Sequence, residues 1–462
     1  MALRKSKTNL AIDPASFRDN FGFVYHEAGG FLRQVNDAGK TAYDALMTSG
    51  LYDELTKQGL LVKHTELPAK PADGYKTLRP ELINFISYPY EWSFSQFKDA
   101  ALATLQMQKL ALAKTMTLRD ASAYNIQFVS GKPQMIDTLS FEPYKPGEPW
   151  QAYRQFCQHF LAPLALAAHI DVDLTQLMRV YIDGVPLALA GKLLPGRSLF
   201  NPGLYMHIKL HGRFQDRYSE GKPTGQTKTV SQTQLLGVID SLERTVKGLQ
   251  LPKTKTEWGD YYNNTNYSPD AFAAKQGQVK SLIDSVKPRR VIDLGANNGA
   301  FSRLAQNAEL VISADIDPMA VEHNYRLVKK NGETNLLPLL IDLTNPSPDL
   351  GWANRERPRF DQRAKGDLVL ALALIHHLAI GNNLPLEAAA EYFAELAPNL
   401  IIEFVPKADS QAQRLLAARE DIFNNYTQAG FETAFSKTYK IIKQQPVKDS
   451  KRIIYLMRKL GG

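Results

Sequence analysis

The stretch Val291-Ile-Asp-Leu-Gly-Ala-Asn-Asn-Gly-Ala-Phe-Ser302 constrains this chain more than any other. An apolar strand runs into a Gly-rich turn, and a helix is expected to begin near Ala300. Gly295 and Gly299 free the backbone for positive φ and for close approach of a ligand. Asn297 stands between them, and asparagine tolerates the left-handed region better than other non-glycine residues. The pattern is D-x-G-x-x-x-G, starting at Asp293, and not the G-x-G-x-x-G of dinucleotide-binding folds. Asp315 ends the next apolar run, 22 residues after Asp293. A carboxylate there can accept both hydroxyls of a ribose, in a cleft at the carboxyl ends of parallel strands.

The pattern around this turn predicts an α/β unit over residues 257–462. Strands are expected at Arg290–Leu294, Leu310–Ala314, Leu336–Ile341, Asp367–Ala373 and Asn399–Phe404. Helices are expected at Asp270–Val286, Pro318–Lys330, Leu386–Leu396 and Ala408–Ala418. Alternating strands and helices imply a mostly parallel sheet wound on both faces. A closing hairpin, Tyr439–Gln444 with Arg452–Met457, adds an antiparallel edge. Asp342 then ends the third strand, where an acid can meet an adenine amino group, and His376 and His377 follow the fourth. Bland readings stand beside each: Asp315 as a helix N-cap, Asp342 as a cap or turn residue, and the histidines as packing and capping groups.

The chain's 462 residues suffice for two or three domains. Residues 1–190 read as one α+β unit, 191–256 as a basic helical connector, and 257–462 as the α/β unit. The apolar run Phe160–His169 is too short to span a bilayer. The basic start Met1-Ala-Leu-Arg has no apolar stretch behind it, so no signal peptide or membrane association is expected. A single cysteine, Cys157, excludes an internal disulfide and any cysteine metal cluster. A cytoplasmic protein is the expectation. Net charge is +8, and the excess is densest at 192–255, with Lys209, Arg213, Arg217, Lys222, Lys228, Lys247 and Lys253. That stretch reads either as a face for an acidic partner or nucleic acid or as a solvated helical surface.

Taken together, Asp293, Gly295, Gly299, Asp315 and Asp342 in this order resemble a class I S-adenosylmethionine-dependent methyltransferase over residues 257–462. The resemblance implies a Rossmann-like fold and S-adenosylmethionine as cofactor. It implies that Asp293, Gly295 and Gly299 flank the methionine part, Asp315 the ribose and Asp342 the adenine, and Asn297 in the turn is a further cofactor-binding candidate. The whole chain also resembles uncharacterised bacterial proteins related to a nodulation-associated protein and labelled methyltransferases. Phe85-Ile-Ser-Tyr-Pro-Tyr-Glu-Trp-Ser-Phe94, Asp120-Ala-Ser-Ala-Tyr-Asn-Ile-Gln127 and Ile401-Ile-Glu-Phe-Val-Pro-Lys407 carry that likeness. His376 or His377 is the candidate base where the acceptor must lose a proton. No N/D-P-P-Y segment follows the fourth strand, which disfavours an exocyclic amine or glutamine acceptor. No cysteine lies in this unit, which disfavours covalent attack on a pyrimidine. Glu403, Lys407, Asn345 and Trp352 are candidate acceptor-pocket residues, and Trp258–Tyr267 a candidate lid.

A second constellation lies upstream. Asp120 and Asn125 stand in a D-x-x-x-x-N spacing, and Asp137 follows twelve residues after Asn125. This resembles the catalytic loop of protein kinases and aminoglycoside-type phosphotransferases, and the resemblance implies a nucleotide and magnesium site on those three residues. Leu118 stands at the loop-histidine position, no G-x-G-x-x-G precedes the hairpin at Phe21–Val35, and Arg33 takes the strand-lysine position. A degenerate kinase-like unit is therefore expected. Three functions follow: a methyltransferase with an acceptor-recognising N-terminal unit, a bifunctional or phosphotransfer enzyme, or a non-catalytic nucleotide- or RNA-binding module.

Overall fold

A computed structural model describes residues 11–27, 30–68, 74–211, 229–252, 268–417 and 419–461. The candidate lid Trp258–Tyr267 and the basic residues Arg213, Arg217, Lys222, Lys228 and Lys253 lie outside the described residues. The chain divides into two compact units, one of residues 1–254 with 349–358 and one of 255–348 with 359–462. The described part of 191–252 falls within the first.

The first unit combines a sheet with a helical body. Strands β1 (Ala11–Ile12), β2 (Gly22–Glu27), β3 (Gly30–Val35), β4 (His64–Leu67) and β5 (Lys76–Pro80) lie in the order β1-β2-β3-β5-β4, every pair antiparallel. Helices Lys40–Thr48 and Leu51–Lys57 connect β3 to β4. The long helix Phe94–Ala113 starts at a capping box, in which Ser93 accepts from the Gln96 amide and Gln96 returns the bond. Beyond it, β6 (Met116–Leu118) pairs with β9 (Phe141–Pro143), and β7 (Ile126–Val129) with β8 (Lys132–Met135). The apolar run at 160–169 is a core helix, Ala162–His169, behind a π-helical turn at Cys157–Leu161. Among the described residues no helix is long and apolar enough to cross a membrane. Residues 349–358 complete this unit as an arm closed by a Leu350–Arg357 bridge. Arg18 grips Glu356 through two hydrogen bonds of 2.8 and 3.0 Å, and the Arg357 guanidinium lies 4.6 Å from the Tyr124 ring centroid.

The second unit is built on a seven-stranded sheet. Its strands are β10 (Arg290–Leu294), β11 (Leu310–Asp315), β12 (Leu336–Leu340), β13 (Leu368–Ala371), β14 (Asn399–Phe404), β15 (Tyr439–Pro446) and β16 (Ile453–Lys459). The order is β12-β11-β10-β13-β14-β16-β15. The first five are parallel and the closing hairpin antiparallel. All four residues of β13 are buried, as an apolar run covered on both faces requires. Helix Pro269–Val286 lays Val279, Leu282 and Ile283 against Val291, Val311, Leu368 and Ile401. Ser268 caps its start, and Lys287 ends it in the left-handed region at φ +53°.

Two expectations are corrected. No helix of several turns follows Gly299; there is only a 3-10 turn, Ser302–Leu304. The Leu304 and Ala305 amides bond three residues back, to Phe301 and Ser302, and Ala305 leaves helical geometry. Ser302 is pinned to the sheet by its hydroxyl, and the chain must reach β11 at Leu310, so no room remains for a helix and its return. The fourth strand also stops at Ala371, because Ala373 turns the chain sharply at φ +49°.

A side chain in the left-handed region costs about 1–2 kcal/mol, partly offset by the entropy that glycine loses on folding. Lys287→Gly is therefore expected to stabilise the second unit by about 0.5–1 kcal/mol, read as a raised midpoint in thermal unfolding.

Candidate functional site

The Gly-rich turn leaves β10 through three left-handed residues, Gly295 at φ +72°, Asn297 at +51° and Gly299 at +78°. The Gly295 and Ala296 amides both donate to the Ala314 carbonyl, at 2.9 and 3.0 Å, which laces the turn to β11. Asp315 completes the lacing. Its Oδ2 accepts the Asn297 amide at 2.7 Å, and its Oδ1 accepts the Asp317 amide at 2.8 Å. The cap of the following helix, Pro318–Asn331, is Asp317, which accepts from the Met319 and Ala320 amides. Asp315 is therefore not the helix cap. Burial lifts its carboxyl to about 6, against the pull of the amides that donate to it.

Asp293 lies beneath the turn. The Ser302 hydroxyl donates to it at 2.6 Å and shares a 2.8 Å bond with Ser313, whose hydroxyl also accepts from Asn324. Burial lifts the Asp293 carboxyl to about 7. Gly299 is favoured by its φ, and a Cβ there would also displace the ends of the Arg303 and Asn324 side chains, 2.5–2.7 Å away. Ile316 projects between Asp315 and Asp317 with 56% of its surface exposed. Sequence reasoning missed it, although an apolar residue flanked by two acids at a strand's carboxyl end was a readable signal.

Asp342 follows β12, the neighbour of β11, on the same edge of the sheet. Its Oδ1 accepts both the amide and the hydroxyl of Thr344, at 2.8 and 2.7 Å, so it forms a turn of its own. His376 and His377 follow the bend after β13, and a π-helical turn begins at His377. That bend meets the Gly-rich turn: a Cβ on Gly295 would stand 3.3 Å from Leu374. The two imidazole rings lie 4.1 Å apart. His376 is 1% exposed, and neither ring nitrogen has a hydrogen-bond partner. Burial holds its proton affinity well below the ordinary histidine value and that of His377 at about 4, so both rings are neutral at physiological pH.

Glu403 is fully buried at the end of β14 and accepts from Lys275 at 2.7 Å. Arg452, also buried, lies 3.7 Å from Glu403 and makes a bidentate pair with Asp409 at 2.8 and 2.9 Å. The Lys275 ammonium lies 4.9 Å from the Phe301 ring centroid. Sequence reasoning named Glu403 but missed Lys275, Arg452 and Asp409. A cavity of about 470 Å³ beside this cluster is lined by Asp409, Ser410, Asp449, Ser450, Lys451 and Arg452. Lys407 is paired with Asp421, and the Asn345 amide donates to the Asp342 carbonyl. Trp352 is 71% exposed and belongs to the arm of the first unit.

In the first unit, Asp120, Asn125 and Asp137 surround one loop. Asp120 accepts from the Ser122 amide and the Gln155 side chain, at 2.9 and 2.7 Å. Asp137 caps the turn Thr138–Ser140 and is ion-paired with Arg33. Burial and then the Asp137 charge raise the Asp120 carboxyl, while hydrogen bonds from Ser122, Gln155 and Asn125 oppose the rise. Among the described residues, no group of three His, Cys, Asp or Glu is placed to hold a metal ion. Of the basic stretch, Lys209 bonds the Gly191 carbonyl and Lys247 pairs with Glu243.

The Asp293 shift has a measurable sign. Its folded carboxyl holds a proton more tightly than the unfolded one, so its contribution is present at low pH and lost as pH rises toward about 7. Denaturant titrations between about pH 4 and pH 7 should show wild-type stability falling relative to Asp293→Asn across that window.

No protein-family model matches the chain. Nodulation protein NoeA from Rhizobium meliloti (strain 1021) is 36% identical over 454 residues, covering 95% of this chain and 94% of its own. Among solved structures, the N-methyltransferase NodS from Bradyrhizobium japonicum WM9 is 12% identical and covers 42% of this chain and 98% of its own, with a TM-score of 0.31. Magnesium protoporphyrin IX methyltransferase from Synechocystis PCC 6803, with bound SAH, is 18% identical and covers 44% and 92%, with a TM-score of 0.32. Extending over nearly the full length of both chains, the first of these likenesses decides the family: the chain belongs to that of nodulation protein NoeA.

Proposed function

We propose that residues 257–462 bind S-adenosylmethionine and transfer its methyl group directly to an acceptor. The observation that carries this reading is Asp315, a buried carboxylate held by two backbone amides at the junction of the Gly-rich turn and β11. The residues present fit the cofactor. The Asp315 oxygens accept the Asn297 and Asp317 amides and keep lone-pair capacity for a ribose hydroxyl. Ile316 offers an exposed apolar face beside it for a purine. Gly295 and Gly299 keep side chains out of the turn, and Asp342 sits at the next strand end for the adenine side. When bound, the cofactor supplies an electrophilic methyl on a sulfonium. The protein's own work is then alignment of the acceptor with that methyl and exclusion of water. His376, neutral and unpartnered, is the residue assigned to the acceptor's proton.

The first unit is assigned to acceptor recognition. A second reading places a nucleotide at the Asp120, Asn125 and Asp137 loop, and the observation favouring it is that these three side chains lie close together, the Asn125 side chain bonding Asp120 and the Asp137 charge raising its carboxyl. In this reading the unit binds or transfers a phosphoryl group.

Calorimetry with S-adenosylmethionine tests the main proposal. Sub-millimolar binding is expected, and its absence sinks the reading. Asp315→Ala removes two charge-assisted hydrogen bonds to the ligand, each worth about 1.5–3 kcal/mol, so affinity should fall about 100-fold or more with the fold retained. The second reading stands or falls on ATP·Mg binding that disappears in Asp137→Ala; no measurable affinity in the wild type removes it.

A further inference from the structure

In the first unit, a run of short helical segments carries an apolar surface that the body of the unit leaves open. Helix Leu187–Leu193 is followed by a 3-10 turn at Gly196–Phe200, a helical turn at Pro202–Leu204 and a π-helical turn at Tyr205–Leu210. The inner side of the run is clamped down. Gly203 lies so close to helix Gln232–Gly248 that a Cβ would stand 1.9 Å from the Thr245 hydroxyl. His207 is buried, with one ring nitrogen 2.7 Å from the Tyr153 hydroxyl and the other 2.9 Å from that of Ser241. The Lys209 ammonium donates to the Gly191 carbonyl at 2.8 Å and ties the two ends of the run together. Phe200 stands midway between those two residues, so it lies at the middle of a closed loop.

The outer side is apolar as well. Leu204, His207 and Ile208 are buried, whereas Tyr205, Met206 and Leu210 are exposed. Leu193 is exposed at the end of its helix, and Phe200 is 88% exposed. A helical segment that is apolar all round is normally covered all round. The charge around this surface has one sign. From Gly184 to Gln215 the sequence has no aspartate or glutamate, and it carries Lys192, Arg197, Lys209 and Arg213. Lys192 and Arg197 are exposed, and neither has a carboxylate partner among the described residues. The acids of the neighbouring helix are taken, Asp240 by Lys109 and Glu243 by Lys109 and Lys247.

We propose that this surface docks on an anionic lipid bilayer. Phe200 and its apolar neighbours enter the boundary between headgroups and acyl chains, and Lys192 and Arg197 face the lipid phosphates. An anchor of this kind needs no spanning helix, only exposed apolar side chains beside cations. Anionic lipids supply the charge that the acid-free stretch lacks. A nucleic acid would use the cations, but its bases stack on aromatic faces and leave leucine and methionine without a role. At protein interfaces lysine is depleted and the apolar anchors sit in pockets. Here the most exposed apolar residue stands out from the middle of a loop, which suits a deformable surface. The proposal does not depend on the methyl-transfer reading.

Vesicle flotation of the full-length protein tests it. Phosphatidylcholine vesicles give the neutral reference, and phosphatidylcholine with phosphatidylglycerol in equal parts gives the anionic surface. The wild type should bind the anionic vesicles, bind the neutral ones more weakly, and lose affinity as salt rises. Phe200→Ser with Met206→Ser keeps the charge and should weaken binding about tenfold or more. Lys192→Gln with Arg197→Gln keeps the apolar face and should weaken binding to the anionic vesicles about tenfold or more. All four side chains are exposed, so both variants should melt as the wild type does. Failure of the wild type to bind anionic vesicles overturns the proposal. So does binding that Phe200→Ser with Met206→Ser leaves unchanged, which makes the surface one for polyanions in general. Concentration-dependent dimerisation without vesicle binding, lost in the same apolar variant, overturns it in favour of a second copy of this chain.

Discussion

The carboxylate of Asp315 is the constraint on which the cleft depends. One oxygen holds the turn that leaves β10, and the other holds the turn that leaves β11. The Gly295 and Ala296 amides lace the first turn to the Ala314 carbonyl of β11, and Asp315 ties that turn to the next one. Burial makes that group effective, since hydrogen bonds strengthen where water is excluded. The same burial raises its proton affinity. The Asn297 amide in the Gly-rich turn and the Asp317 amide at the helix cap both meet on this one side chain, with the exposed Ile316 between it and the cap.

The other side of β10 is organised by charge. There β13 and β14 end against Lys275, Glu403, Arg452 and Asp409. One flank of the strand ends is thus set by amides gathered on a carboxylate, and the other by buried ion pairs.

How much of this was legible in the sequence depended on the range of the interaction. Strands Arg290–Leu294 and Asn399–Phe404 and helix Leu386–Leu396 have the expected bounds, because burial on both faces or a clear apolar stripe wrote them into local composition. Asp293 and Asp315 were readable from strand ends alone. The helix expected after Gly299 failed because Ser302 is tied to Asp293 and Ser313, bonds that no local propensity signals. Asp342 carried its own explanation two residues on, in Thr344. Lys275 reads as an ordinary residue of an amphipathic helix, since its partner Glu403 lies 128 positions away and only the fold unites them. In the first unit, local spacing singled out Asp120, Asn125 and Asp137. The capping and pairing of Asp137 became visible only with the fold.

The arm at 349–358 bears on how this protein can be taken apart. It leaves after β12 and returns before β13, yet it is held in the first unit by Arg18 on Glu356 and Arg357 on Tyr124. The polypeptide therefore passes from one unit to the other at three places, near residues 254, 348 and 358. A single protease cut at the first of these leaves the 349–358 segment of the first unit on the C-terminal fragment. A gene split there yields an N-terminal product that lacks a piece of its own body. A boundary drawn at residue 254 therefore divides the chain without separating the two units, because the first unit keeps a segment beyond it.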